Sequence, residues 1–155
     1  MDDVISAVFA TNNLTARDFQ TKAIEALLGG KDTFVSAPTG SGKTFVYAFI
    51  PEIARKLSRP GKVIVITPLI SLMVDQVRRM KNLGIAAGFL GEKQSDPNVE
   101  KGVRLGEFDL VFMSPECAVN SKWFELFSSK VYRQELCCVV IDECHCISQW
   151  YGFIF

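Results

Sequence analysis

Five short apolar runs, each separated from the next by a stretch of helical periodicity or a turn, constrain this chain more than any other feature. They are "TFVSA" (33–37), "KVIVIT" (62–67), "AAGFL" (86–90), "DLVFMS" (109–114) and "CCVVID" (137–142). A strand with one solvated face alternates apolar and polar residues; these runs are nearly continuous, so as strands they would be covered on both faces. The intervening segments supply cover. Ala23, Ile24, Leu27 and Leu28 recur at helical spacing before Gly29-Gly30, and Val46, Phe49, Ile50, Ile53 and Leu57 do so around Pro51, which should kink or shorten that helix. A third helix is predicted over 71–83, with Met73, Val77 and Met80 inward, Arg78, Arg79 and Lys81 outward, and Asn82 and Gly84 marking its end. The pattern predicts an α/β fold with one open, mostly parallel sheet and crossover helices, whose ligands sit at the carboxyl ends of the strands.

"SRPG" (58–61) and "GEKQSDPN" (91–98) carry turn chemistry and are too short to separate domains, and 155 residues suffice for one ordinary core. Seventeen basic residues balance seventeen acidic ones, so net charge argues for neither nucleic acid nor membrane, and any nucleic-acid contact must be local. The first residues, "MDDVISAVFATNN", hold too short an apolar run for a secretory signal, and no apolar stretch is long enough to span a bilayer. The expectation is an intracellular protein without a membrane partner. Five cysteines, four of them between 137 and 146, make poor disulfide arithmetic. "CHC" (144–146) lacks a second ligand pair for zinc, which leaves reduced, buried or half-buried thiols as the better reading.

Chemistry concentrates in two places. "APTGSGKT" (37–44) follows the first apolar run: Gly40 and Gly42, around Ser41 and after Thr39, let the backbone bend closely about an anion. Lys43 would reach the β- and γ-phosphates of ATP and Thr44 would offer its hydroxyl to Mg²⁺. Ala37 stands where the GxxxxGK[ST] pattern has its first glycine, and "GSGKT" by itself also suits a plain turn before a helix. The second place is Asp142-Glu143, delivered to a strand's carboxyl end by Cys138 to Ile141. There Asp142 can hold Mg²⁺ through water, and Glu143 can orient or deprotonate the water that attacks the γ-phosphate; adjacent carboxylates are also common turn residues. Upstream, Arg17 and Gln20 of "ARDFQ" lie where a glutamine amide could read the adenine edge.

Taken together these segments resemble the RecQ family of superfamily 2 DNA helicases. "ARDFQ" matches its nucleotide motif, "APTGSGKT" motif I, "VIVITPLISLMVDQV" motif Ia, "DLVFMSPE" motif Ib and "VVIDECHCISQW" motif II. The match runs over about residues 4–150, and "PLISLMVDQV" and "HCISQW" separate it from RNA helicases of the DEAD-box type. The resemblance implies ATP-driven 3′ to 5′ unwinding of DNA by two RecA-like lobes, in DNA repair and recombination, with ATP and Mg²⁺ as cofactors. Thr67, Pro68, Ser71, Ser114 and Pro115 would face the phosphodiester backbone, His145 would couple DNA contact to hydrolysis, and Trp150 would stack on bases. It also implies a nuclear protein in a eukaryote, or one of the nucleoid and cytoplasm in a bacterium.

Two departures qualify the match. "YGFIF" (151–155) does not follow the family after Trp150, so residues 1–150 read as a partial ATP-binding domain of the first RecA-like lobe and 151–155 as a divergent tail. No clear aromatic precedes Gln20 to stack on adenine, Asn13 or Thr11 occupying that region. In the family a motif III strand lies between the motif I and motif II strands. With that strand and the second lobe outside the sequence, the chain alone is expected to be a poor ATPase and to expose central strand edges that invite aggregation. The competing readings are a non-catalytic module that binds nucleotide or DNA, and a truncated gene product without activity of its own.

Overall fold

The computed structural model describes residues 1–91, 94 and 96–144, and the chain divides into two compact units, 1–61 and 62–155. In the first, α1 (Asp2–Thr11), α2 (Asp18–Leu28), α3 (Thr44–Ala48) and α4 (Ile50–Lys56) enclose an apolar centre of Ile5, Val8, Phe9, Ile24, Phe49, Ile50 and Ile53, none more than 1% exposed. The helix expected around Pro51 is broken at Phe49, and Pro51 occupies the first turn of α4, where its missing N–H leaves no carbonyl unpaired. Phe49 anchors the unit: Phe9 meets it edge-on at 4.8 Å between ring centroids and Phe45 stacks on it at 5.4 Å.

The run 33–37 is the first correction, because it joins no sheet. Exposure still alternates along it, with Phe34 80% exposed, as in an extended segment; among the described residues no ladder accepts its backbone. Side-chain pattern measures the fitness of a segment to be a strand, while a neighbouring strand makes it one.

The second unit carries the sheet. β1 (Lys62–Ile66), β2 (Ala87–Leu90), β3 (Leu110–Met113) and β4 (Leu136–Ile141) lie in the order β2-β3-β1-β4, every pair parallel. The crossovers are α5 (Ile70–Asn82) and α6 (Pro97–Leu105), then α7 (Pro115–Ala118), α8 (Ser121–Phe127) and α9 (Lys130–Glu135) in succession. α5 buries Met73, Val77 and Met80, as its periodicity predicts, and the chain leaves it through Gly84 at φ +73°. The stretch read as a turn over 91–98 ends inside α6, which begins when the Asp96 carboxylate accepts the Asn98 N–H at 2.9 Å.

β3, central in the sheet, is buried throughout. β4 departs from the expectation of burial on both faces: it lies at the sheet edge, with Val139 51% and Ile141 45% exposed. Under the sheet, Ile64, Leu90, Val103, Val111, Met113, Trp123, Leu126 and Tyr132 form one cluster.

α6 stops at Gly106, whose φ of +71° only glycine adopts cheaply. A Cβ there would lie 2.5 Å from the Val131 side chain and 3.3 Å from that of Lys62. Gly106→Ala therefore adds left-handed strain to a clash with a branched side chain, and should cost about 2–4 kcal/mol in a urea titration. A loss under about 0.5 kcal/mol would mean that α9 yields freely.

Candidate functional site

In the first unit a cleft of about 470 Å³ is lined by Arg17, Phe19 and the loop from Ser36 to Ser41. Gly40 and Gly42 sit at φ +76° and +85°, so the loop makes the two left-handed steps its glycines permit. Between them Ser41 is 9% exposed, and its hydroxyl has no hydrogen-bond partner among the described residues. A buried hydroxyl without a partner costs free energy that a ligand oxygen would recover. Lys43 turns its ammonium onto the same loop, donating to the Ala37 carbonyl at 2.6 Å and to that of Pro38 at 3.1 Å. Thr44 opens α3. Thr39, Gly40, Ser41, Gly42, Lys43 and Thr44 thus form one continuous turn with a cation at its end.

Gln20 is 2% exposed and both ends of its amide are engaged. Its Oε1 accepts the Arg17 N–H at 2.8 Å, and its Nε2 donates to the Gly42 carbonyl at 2.9 Å. The residue expected at the adenine edge is thus also a strut between the start of α2 and the glycine loop. A Cβ on Gly42 would lie 2.9 Å from that Nε2. Phe19, half-buried, lines the same cleft beside Arg17 and gives it an aromatic wall.

In the second unit the carboxyl ends of the strands gather the other candidates. The Thr67 N–H donates to Met113 O at 3.0 Å and the Asp142 N–H to Ile66 O at 2.9 Å, so Thr67 and the acidic pair leave neighbouring strands side by side. Glu143 holds a left-handed φ of +55°, and its N–H donates to Asp142 Oδ1 at 3.0 Å. For a residue with a side chain this conformation stores roughly 1 kcal/mol, and such strain clusters at functional sites.

A cleft of about 820 Å³ opens at the same strand ends, with Pro68 and Ser114 in its wall. Thr67 is buried, its hydroxyl without a partner among the described residues, and Ser71 is exposed on α5. Ser114 caps α7, accepting the Cys117 N–H at 3.3 Å, and Pro115 is buried in that helix's first turn. Among the described residues the lining carries Asp96, Glu100 and Glu116 and one lysine, Lys122. Lys122 is already held by Glu100 at 2.8 Å, which lowers the Glu100 pKa from its ordinary value. His145 and Trp150 lie outside the described residues, and so does the tail.

The family model described as DEAD/DEAH box helicase matches residues 17–154, from Arg17 through the glycine loop to beyond Asp142-Glu143. The chain belongs to this helicase family. Within it the curated relatives include RecQ-type helicases. The ATP-dependent DNA helicase RecQ of Haemophilus influenzae is 39% identical over 150 residues, covering 95% of this chain and 22% of that protein. The ATP-dependent helicase SGS1 of Saccharomyces cerevisiae is 38% identical over 138 residues, 86% of this chain and 10% of the relative. Among solved structures, a hypothetical ATP-dependent RNA helicase from Sulfolobus tokodaii superposes with a TM-score of 0.61 at 25% identity, over 99% of this chain and 44% of that one. The helicase sequence described here therefore spans less than a quarter of each of these two curated relatives, and under half of the structural one.

Proposed function

We propose that residues 1–150 are part of the ATP-binding lobe of a RecQ-type helicase, which binds ATP with Mg²⁺ and works 3′ to 5′ on DNA in the nucleus or nucleoid. The observation that carries this reading is the glycine loop. Two left-handed glycines frame a buried hydroxyl with no partner among the described residues, and a lysine ammonium is held by loop carbonyls that a phosphate could replace.

Lys43 would exchange the Ala37 and Pro38 carbonyls for β- and γ-phosphate oxygens, and Ser41 would donate its hydroxyl to the phosphates. Phe19 would lie against the base while Gln20 holds the loop to α2. Thr44 and, through water, Asp142 would each offer an oxygen to Mg²⁺, which when bound neutralises developing charge on the phosphates. Glu143 would take a proton from the attacking water, and its left-handed backbone would fix the direction of its carboxylate. Thr67, Ser71 and Ser114, with Pro68 and Pro115 shaping the rim, would meet the DNA backbone through hydroxyl and N–H groups. His145 and Trp150 belong to the same proposal, as coupling and stacking residues.

The test is Mg²⁺-dependent binding of a fluorescent ATP analogue, set beside phosphate release, for the wild type and Glu143→Gln. Affinity within about twofold of wild type is expected, with turnover lowered by about a hundredfold or more, the scale of a lost general base. Binding without measurable turnover in both proteins would favour the non-catalytic module. Unchanged turnover in Glu143→Gln would remove Glu143 from the reaction.

A further inference from the structure

The start of β4 pairs irregularly with β1. Lys62 lies opposite Leu136, yet Val63 lies opposite Cys138, so the pairing skips Cys137. In a regular strand adjacent side chains point to opposite faces; an extra residue breaks that alternation. Exposure follows suit: Leu136, Cys137 and Cys138 are all half-buried, and alternation resumes only from Cys138 onward, with Val139 and Ile141 exposed and Val140 half-buried. The extra residue takes Cys137 and Cys138 out of the strict alternation that would set their thiols on opposite faces. Neither forms a disulfide among the described residues.

We propose that Cys137 and Cys138 form a dithiol site for a trivalent arsenical, held ready by the bulge at the start of β4. Pyramidal As(III) accepts two sulfurs on the same side at a bent angle, whereas two-coordinate Cu(I) needs them on opposite sides; soft thiol ligands select soft centres of either kind. With an organoarsenic oxide, two S–H bonds and the arsenic–oxygen bond break and two As–S bonds form. Both thiol protons leave with the oxide oxygen as one water, and arsenic stays trivalent, so no oxidant is required. Peroxide oxidation is the less suited chemistry here. It needs a thiolate, and the hydrogen bond to Cys137, with burial, raises the Cys138 pKa and keeps the thiol protonated. The site lies at the opposite end of β4 from Asp142 and Glu143, and it does not depend on the nucleotide reading.

The experiment treats the chain with one equivalent of phenylarsine oxide, adds excess monothiol, and follows intact mass and thermal unfolding. Expected is one phenylarsenic adduct that survives the monothiol and is removed by a dithiol. It should persist in the Cys117→Ser, Cys144→Ser, Cys146→Ser triple variant, which leaves β4 untouched, and be lost in Cys137→Ser and in Cys138→Ser. Because a ligand that prefers the folded state stabilises it, the adduct should also raise the unfolding midpoint. An adduct retained by Cys138→Ser, lost from the triple variant or absent from the wild type would overturn the proposal. So would a midpoint that fails to rise, since adjacent cysteines in an unfolded chain could then bind equally well.

Discussion

Lys43→Ala is expected to weaken Mg·ATP binding by roughly tenfold to a hundredfold, the loss of about 1.5–3 kcal/mol attached to a hydrogen bond from a charged donor. The loop leaves little to compensate. Of the residues lining the cleft beside it only Arg17 is cationic, and it stands at the start of α2 rather than in the glycine turn. Lys43 itself needs no rearrangement of the fold to release its partners, because half-buried Ala37 and exposed Pro38 belong to a loop outside the sheet, whose carbonyls can turn to water. The side chains that follow it, Val46, Tyr47 and Ala48, are buried independently of the ammonium. The variant should therefore unfold close to the wild-type midpoint while failing to saturate with a fluorescent ATP analogue. Equal affinity in the two proteins would reduce "GSGKT" to a turn before a helix and remove the main support for the proposed function.

That loop also shows how far a sequence can be read. Gly40 and Gly42 announce left-handed backbone because side chains are strained there, and both adopt it. Pro51 announces a helix break, and α3 gives way to α4 one residue before α4's first proline-bearing turn. Met73, Val77 and Met80 share one face of α5 because 3.6-residue periodicity is a property of the segment alone. Pairing is different in kind. The run 33–37 has the composition of a strand and no partner among the described residues, and nothing inside five residues can state whether a neighbour exists. The same holds for β4, whose apolar Val139 and Ile141 look like core and stand at an edge. Gln20 is the subtler case. Its amide was legible as a group able to read a base, but its bonds to Arg17 and Gly42 depend on how α2 meets the loop.

Tyr132→Ala should be the most damaging single change in the second unit, costing about 3–5 kcal/mol in a urea titration, the usual range for emptying a buried aromatic site. The ring is 1% exposed, meets Phe127 edge-on at 5.5 Å and packs in the cluster beneath the sheet. Its hydroxyl donates to the Val103 carbonyl at 2.9 Å, tying α9 to α6. Alanine leaves a cavity and removes that hydrogen bond, the Val103 carbonyl keeping the Gly106 N–H at 3.0 Å, whereas Tyr132→Phe keeps the volume and should lose only about 1 kcal/mol. The pH dependence separates the two contributions. Burial pushes the Tyr132 phenol up to about 12 from 10.0, so an unfolded chain releases this proton first. Its share of stability is then complete below about pH 10 and falls as pH rises towards about 12, with a slope of up to about 1.4 kcal/mol per unit. Tyr132→Phe lacks the group, so its deficit relative to wild type should shrink, and can reverse, between about pH 9 and about pH 11. A deficit that stays constant across that interval would mean the phenol is not held in its neutral form by burial, and that α9 is tied to α6 by packing alone.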